Sequence, residues 1–135
     1  MSAVFFVAVG VQTALFAAYR HYLNRLRDTG CLCALTPRFA RIETLFVWVV
    51  ALFYATLLCL FACRFVPADV CIALNVAGSL LAIALAVNVV RWCLDMRAAG
   101  CLCSDAWEKD LWAFLSAYHL AAIVLGAVGA LLTLI

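Results

Sequence analysis

Apolar positions along this chain fall into four long runs, and the polar positions collect between them. The runs are Ser2–Tyr19, Thr44–Cys63, Val70–Val90 and Leu111–Ile135. A membrane-spanning helix needs about 20 mostly apolar residues, with about 17–25 tolerated. Each run meets that length. Backbone in lipid must satisfy its own hydrogen bonds, and the runs are continuous rather than alternating, so the pattern predicts helices and not a β-barrel. The expected fold is all-α, with four transmembrane helices in two tandem hairpins. The first hairpin covers residues 1–65 and the second 66–135, together forming one membrane domain. The first run has no basic segment before its apolar stretch, so it is expected to be a span rather than a cleavable signal.

Composition agrees with lipid as the main solvent. The chain is 70% hydrophobic and 12% charged, whereas soluble domains carry about 25% charged residues. Placement of charge then sets an expected orientation. Arg20, Arg25, Arg27, Arg38, Arg41, Arg91, Arg97 and Lys109 all lie in the two longer connectors, Arg20–Glu43 and Arg91–Asp110. Only Arg64 lies in the short one between the second and third runs. The positive-inside rule puts both long connectors on the cytoplasmic face and both termini opposite.

The chain also repeats itself. His21–Cys33 (HYLNRLRDTGCLC) aligns with Arg91–Cys103 (RWCLDMRAAGCLC). Arg27 meets Arg97, Tyr22 meets Trp92, Leu26 meets Met96, and the Gly-Cys-Leu-Cys tetrads coincide. Equivalent apolar runs flank both copies, so an internal duplication is expected, with the two hairpins in the same topology. Gly30 and Gly100 suit helix C-terminal caps. Thr36-Pro37 suits a helix start, and Asp105–Glu108 resembles a capping box. Tyr22, Leu23, Leu26, Trp92, Leu94 and Met96 prolong an apolar face, so the first and third helices should extend beyond the bilayer.

Candidate chemistry is concentrated at the two hairpin tips. Cys31, Cys33, Cys101 and Cys103 admit three readings: disulfides within or between the tips, a tetrahedral metal site, or small side chains required by a tight turn. The C-x-C spacing departs from the usual C-x₂₋₄-C of zinc sites, and the cytosol disfavours stable disulfides. Cys59, Cys63, Cys71 and Cys93, near helix ends, read as small hydrophobic residues. Gln12, Asn75, Asn88 and His119 read as hydrogen-bonding glue between helices. Ala122, Gly126 and Ala130 form a small-residue face for close helix packing, which would also suit an oligomer; Ala73, Ala77 and Gly78 offer another. Trp48, Trp92, Trp107 and Trp112 are expected to form an aromatic belt at the interface. No catalytic constellation, phosphate loop or cofactor signature occurs, and the arginines are accounted for by topology rather than by nucleic acid. No carboxylate sits within a span, as a proton-coupled transporter would need.

The stretch Gly100–Asp110 (GCLCSDAWEKD), preceded by RWCLDMR, resembles small multi-span virion membrane proteins of nucleocytoplasmic large DNA viruses. The first copy, Gly30–Arg41, departs from the motif at Pro37, where the second has Trp107. The resemblance implies a structural protein of a viral inner membrane derived from host internal membrane. Its cytoplasm-facing tips would anchor that membrane to capsid or other membrane proteins. Arg27, Arg38, Arg97, Trp107 and Lys109 would then be the interface residues. Such viruses commonly encode a thiol oxidase, which makes disulfides in those tips plausible. The alternative is a small transporter or channel built from a duplicated hairpin. The orientation has a direct check: after reduction, an impermeant maleimide should label both Gly-Cys-Leu-Cys tips from the same, cytoplasmic, side. Labelling from opposite sides would exclude the duplicated topology.

Overall fold

The computed structural model describes residues 3–62 and 65–133, with side chains at 122 and 126–133 left out of the description. Among the described residues the chain is helical with no strands. The elements are α1 (Ala3–Asp28), α2 (Pro37–Phe61), α3 (Ala68–Ala98), a short 3₁₀ turn (Leu102–Ser104) and α4 (Trp107–Thr133). Three of these, α1, α2 and α3, are long and apolar enough to cross a membrane. The small-residue face at Ala122, Gly126 and Ala130 falls on side chains outside the described residues, as do Cys63 and Arg64.

The helices run past the apolar runs, as the continuing apolar face on α1 and α3 predicts, and α2 and α4 also begin early. True links between helices at the tips shrink to residues 29–36 and 99–106. The second residue of each is a left-handed glycine, Gly30 at φ 63° and Gly100 at φ 64°. Around Gly30, the Gly30 N–H donates to Arg27 O at 3.1 Å and the Cys31 N–H to Leu26 O at 3.2 Å. Around Gly100 the same bonds run to Arg97 O and Met96 O, at 3.2 and 3.0 Å. This is the Schellman arrangement, which satisfies the last helical carbonyls and requires a residue that tolerates positive φ.

Helix starts differ from expectation. Thr36 flanks α2 without a side-chain capping bond, and Pro37 at the first turn provides the start. The 3₁₀ turn occupies Leu102–Ser104, so α4 begins only at Trp107 and Asp105 is not its cap. The Asp105 carboxylate instead accepts from Lys109 Nζ at 2.5 Å.

The core sits at the tip end of the bundle. Tyr22, Leu23, Leu26, Ile42, Val89, Trp92 and Met96 are almost wholly enclosed. Tyr19 stacks on Trp112, with ring centroids 4.6 Å apart, and Phe39 leans on Trp92 at 5.8 Å. Trp92 and Trp112 are therefore core residues and not members of an aromatic belt, whereas Trp48 and Trp107 are exposed. The reason is geometric: the helices pack tightest where they emerge from the apolar runs, so tryptophans at that level face inward or outward according to helix phase. Away from the tips, large apolar side chains such as Val7, Leu58 and Leu80 stay exposed, as a lipid-facing surface requires. Gly78 faces the Leu52 Cβ, 3.6 Å from where a Cβ of its own would lie.

Removing Trp92 should therefore cost far more than removing Trp48. Trp92→Ala is expected to destabilise the bundle by about 3–5 kcal/mol, against well under about 1 kcal/mol for the exposed Trp48→Ala. Thermal denaturation in detergent, followed by helical circular dichroism, measures both.

Candidate functional site: a four-cysteine knot joining the two tips

Each tetrad presents the same alternation to its surroundings. Cys31 and Cys101 are buried at 3% and 6% exposure, while Leu32 and Leu102 project outward at 84% and 81%. Cys33 and Cys103 are exposed, and Ala34 and Ser104 turn back inside. The glycine sends the chain sharply away from the helix axis. The next residue then falls over the last helical turn, against Leu26 or Met96.

The two tips meet. Disulfides join Cys31 to Cys103 and Cys33 to Cys101, with Cα–Cα separations of 5.8 and 5.9 Å. Each bond thus links an enclosed sulfur of one tip to an exposed sulfur of the other. All four sulfurs lie within 4.8 Å of one another. Spanning more than 60 residues of chain, the first such link alone removes about 4 kcal/mol of unfolded-state entropy in the loop-closure account.

Hydrogen bonds across the tips follow the same reciprocity. The Tyr22 hydroxyl donates to Ser104 O at 2.8 Å, and the Trp92 indole N–H donates to Ala34 O at 2.9 Å. Replacing every residue by the one 70 positions away converts the first bond into the second, and the first disulfide into the second. The ion pairs extend this with a twist. Arg25 meets Glu108 at 3.5 Å and Arg38 meets Asp95 at 3.3 Å. These are equivalent positions with both charges reversed. Glu108 is buried and no hydrogen bond reaches its Oε2, so charge rather than a directed bond holds it to Arg25. The shared arginine works within its own hairpin: Arg27 grips Glu43, and Arg97 lies 3.9 Å from Asp110.

Of the interface candidates, Trp107 is 66% exposed, and Arg97 is also solvent-exposed, with only the long pair to Asp110 holding it. Arg27 and Arg38 are engaged in the pairs above. Lys109 is buried beside Asp105, so it serves the tip's interior more than its surface.

The remaining cysteines separate. Cys59 and Cys71 form a disulfide across the short link between α2 and α3, at the end opposite the tips. Reading them as small hydrophobic residues missed this. Their separation of 12 residues, bracketing the turn of a hairpin, was the available signal. Cys93 is free. It lies beyond the apolar run Val70–Val90, and burial pushes its thiol up to about 11, leaving it a poor thiolate. The polar residues of the spans also divide. The Asn88 side-chain amide donates to Ala84 O of its own helix. Gln12, Asn75 and His119 line a cavity of about 610 Å³ between the helices.

No family model, no curated protein and no solved structure matches this chain.

The pairing can be tested in a Cys59→Ser/Cys71→Ser background carrying a protease site in the link at residues 65–67. After cleavage, the halves should migrate together without reductant and separate with it. Adding Cys33→Ser/Cys101→Ser should leave them joined through Cys31–Cys103, and further substitution of Cys31 should release them.

Proposed function

We propose that this chain is a structural integral membrane protein, a four-span pair of duplicated hairpins whose fused tips dock onto a protein layer against the cytoplasmic face. One observation carries the reading: Leu32 and Leu102, the residues between the knotted cysteines, are the most outward-pointing apolar side chains of the tips, at 84% and 81% exposure. Nothing in turn formation needs leucine at a position this exposed. An apolar pair on a covalently rigid mount, with exposed Trp107 nearby in the second tip and arginines around it, has the make-up of an interface centre. The reciprocal contacts of residues 70 apart support the duplication. The resemblance to virion membrane proteins assigns the layer to a capsid and the membrane to a viral inner membrane.

The cavity favours a second reading, a small transporter or channel. Among the described residues its lining has polar groups in Gln12, Asn75 and His119 and no Asp, Glu, Lys or Arg, so His119 is its one titratable side chain near neutral pH.

The docking reading predicts that Leu32→Glu/Leu102→Glu leaves membrane insertion and both tip disulfides intact and abolishes incorporation into purified particles. A photo-crosslinker at position 32 or 102 should join the capsid protein in those particles. Normal incorporation of the double variant, together with solute flux in proteoliposomes, would favour the transporter.

A further inference from the structure

We propose that the four tip cysteines are also a metal site: with both disulfides reduced, Cys31, Cys33, Cys101 and Cys103 bind one soft tetrahedral cation of the zinc class. The proposal is independent of what the tips dock onto.

Geometry carries it. A tetrathiolate zinc centre has Zn–S bonds of about 2.3 Å, which places its sulfurs about 3.8 Å apart along every edge. The sulfurs that are not bonded to each other already stand at that spacing. Cys31 and Cys33 are 3.8 Å apart, Cys101 and Cys103 3.9 Å, Cys31 and Cys101 3.8 Å, and Cys33 and Cys103 3.4 Å. Four of the six edges are therefore close to final length. The other two are the disulfides, and reduction frees each of those sulfur pairs to separate by small side-chain rotations. The C-x-C spacing, unusual for a zinc ligand pair within one loop, is no obstacle here, because each tip supplies only one edge and the cross-tip contacts supply the rest.

The backbone that would hold the ligands does not depend on the disulfides alone. Tyr22 and Trp92 bridge to the opposite tip through buried hydrogen bonds, and two cross-tip ion pairs flank them. The cage is thus kept assembled when the S–S bonds are cut. A tetrathiolate site around a divalent cation carries two net negative charges. The N-termini of α2 and α4 arrive at the same level with their positive dipole ends; Arg25, Arg27 and Arg97 nearby are each already paired with a carboxylate.

The interconversion balances simply. Two equivalents of a dithiol reductant each give two electrons and two protons to one disulfide and close to a disulfide themselves, leaving four protein thiols. Binding the cation then releases those four protons. Access follows from burial: Cys33 and Cys103 are exposed, one on each disulfide, so each bond can be attacked from solvent with Cys101 or Cys31 as the leaving thiol.

The test uses the full chain in detergent, reduced anaerobically in the presence of Co²⁺. One Co²⁺ per chain, with the intense visible absorption of a tetrahedral tetrathiolate, is expected, displaced stoichiometrically by Zn²⁺. The signal should vanish in Cys33→Ser/Cys103→Ser and persist in Cys59→Ser/Cys71→Ser and in Cys93→Ser. Absence of the band in reduced protein that keeps its helical circular dichroism would overturn the proposal. So would a band that survives Cys33→Ser/Cys103→Ser, or helical collapse on reduction that the metal does not prevent.

Discussion

Everything above the apolar runs depends on one reciprocal contact, the insertion of each tip against the base of the other hairpin. Tyr22 reaches the chain beyond the second tetrad, and Trp92 reaches the chain beyond the first. Both donors are buried, so each bond also answers a carbonyl that would otherwise be stranded without water. Packing then follows from these anchors. Leu26 and Met96 join the first cysteine of each tetrad in the same core, and aromatic residues of α1 and α2 close around Trp92 and Trp112. The disulfides lock an arrangement that the noncovalent contacts already define.

Reversed charges at equivalent positions give this interlock a direction. Two copies of the first hairpin, meeting in the same way, would set Arg25 against Arg38. Two copies of the second would set Asp95 against Glu108. Only first against second brings opposite signs together at both places. Exposed ion pairs contribute little to stability, but like charges at a partly buried contact penalise the wrong partner, which favours the pairing of a first hairpin with a second over the pairing of two like hairpins. Tyr22 and Trp92 differ in the same spirit: the two sides of the contact share a geometry that different residues provide.

How much of this was legible beforehand varied with how local each feature is. Helix extension beyond the apolar runs could be read from Tyr22, Leu26, Trp92 and Met96, because helical periodicity is local. The glycine turns could be read for the same reason. The repeat singled out Cys31, Cys33, Cys101 and Cys103 but left disulfides within or between the tips, a metal site and simple packing open, since that is decided by how two hairpins dock. The Cys59–Cys71 bond was hidden by attention to composition rather than to hairpin geometry. Trp92 and Trp112 were misjudged because depth in a membrane can be read from sequence position, whereas the facing direction at that depth depends on helix phase in the assembled bundle. Asp105 was displaced from its capping role by a 3₁₀ turn that no local pattern announced.

The Cys59–Cys71 bond has a consequence for how the protein can move. From Cys33 the chain runs down α2 to Cys59, crosses to Cys71, climbs α3 to Cys101 and returns to Cys33 through sulfur. This path is a closed ring, with α2 and α3 as its long sides. Neither helix can part from the other at either end. By contrast, α1 and α4 each leave the ring at the tip alone. A force that tilts α2 therefore tilts α3 with it, whereas α1 and α4 are coupled to the ring away from the tips by packing alone.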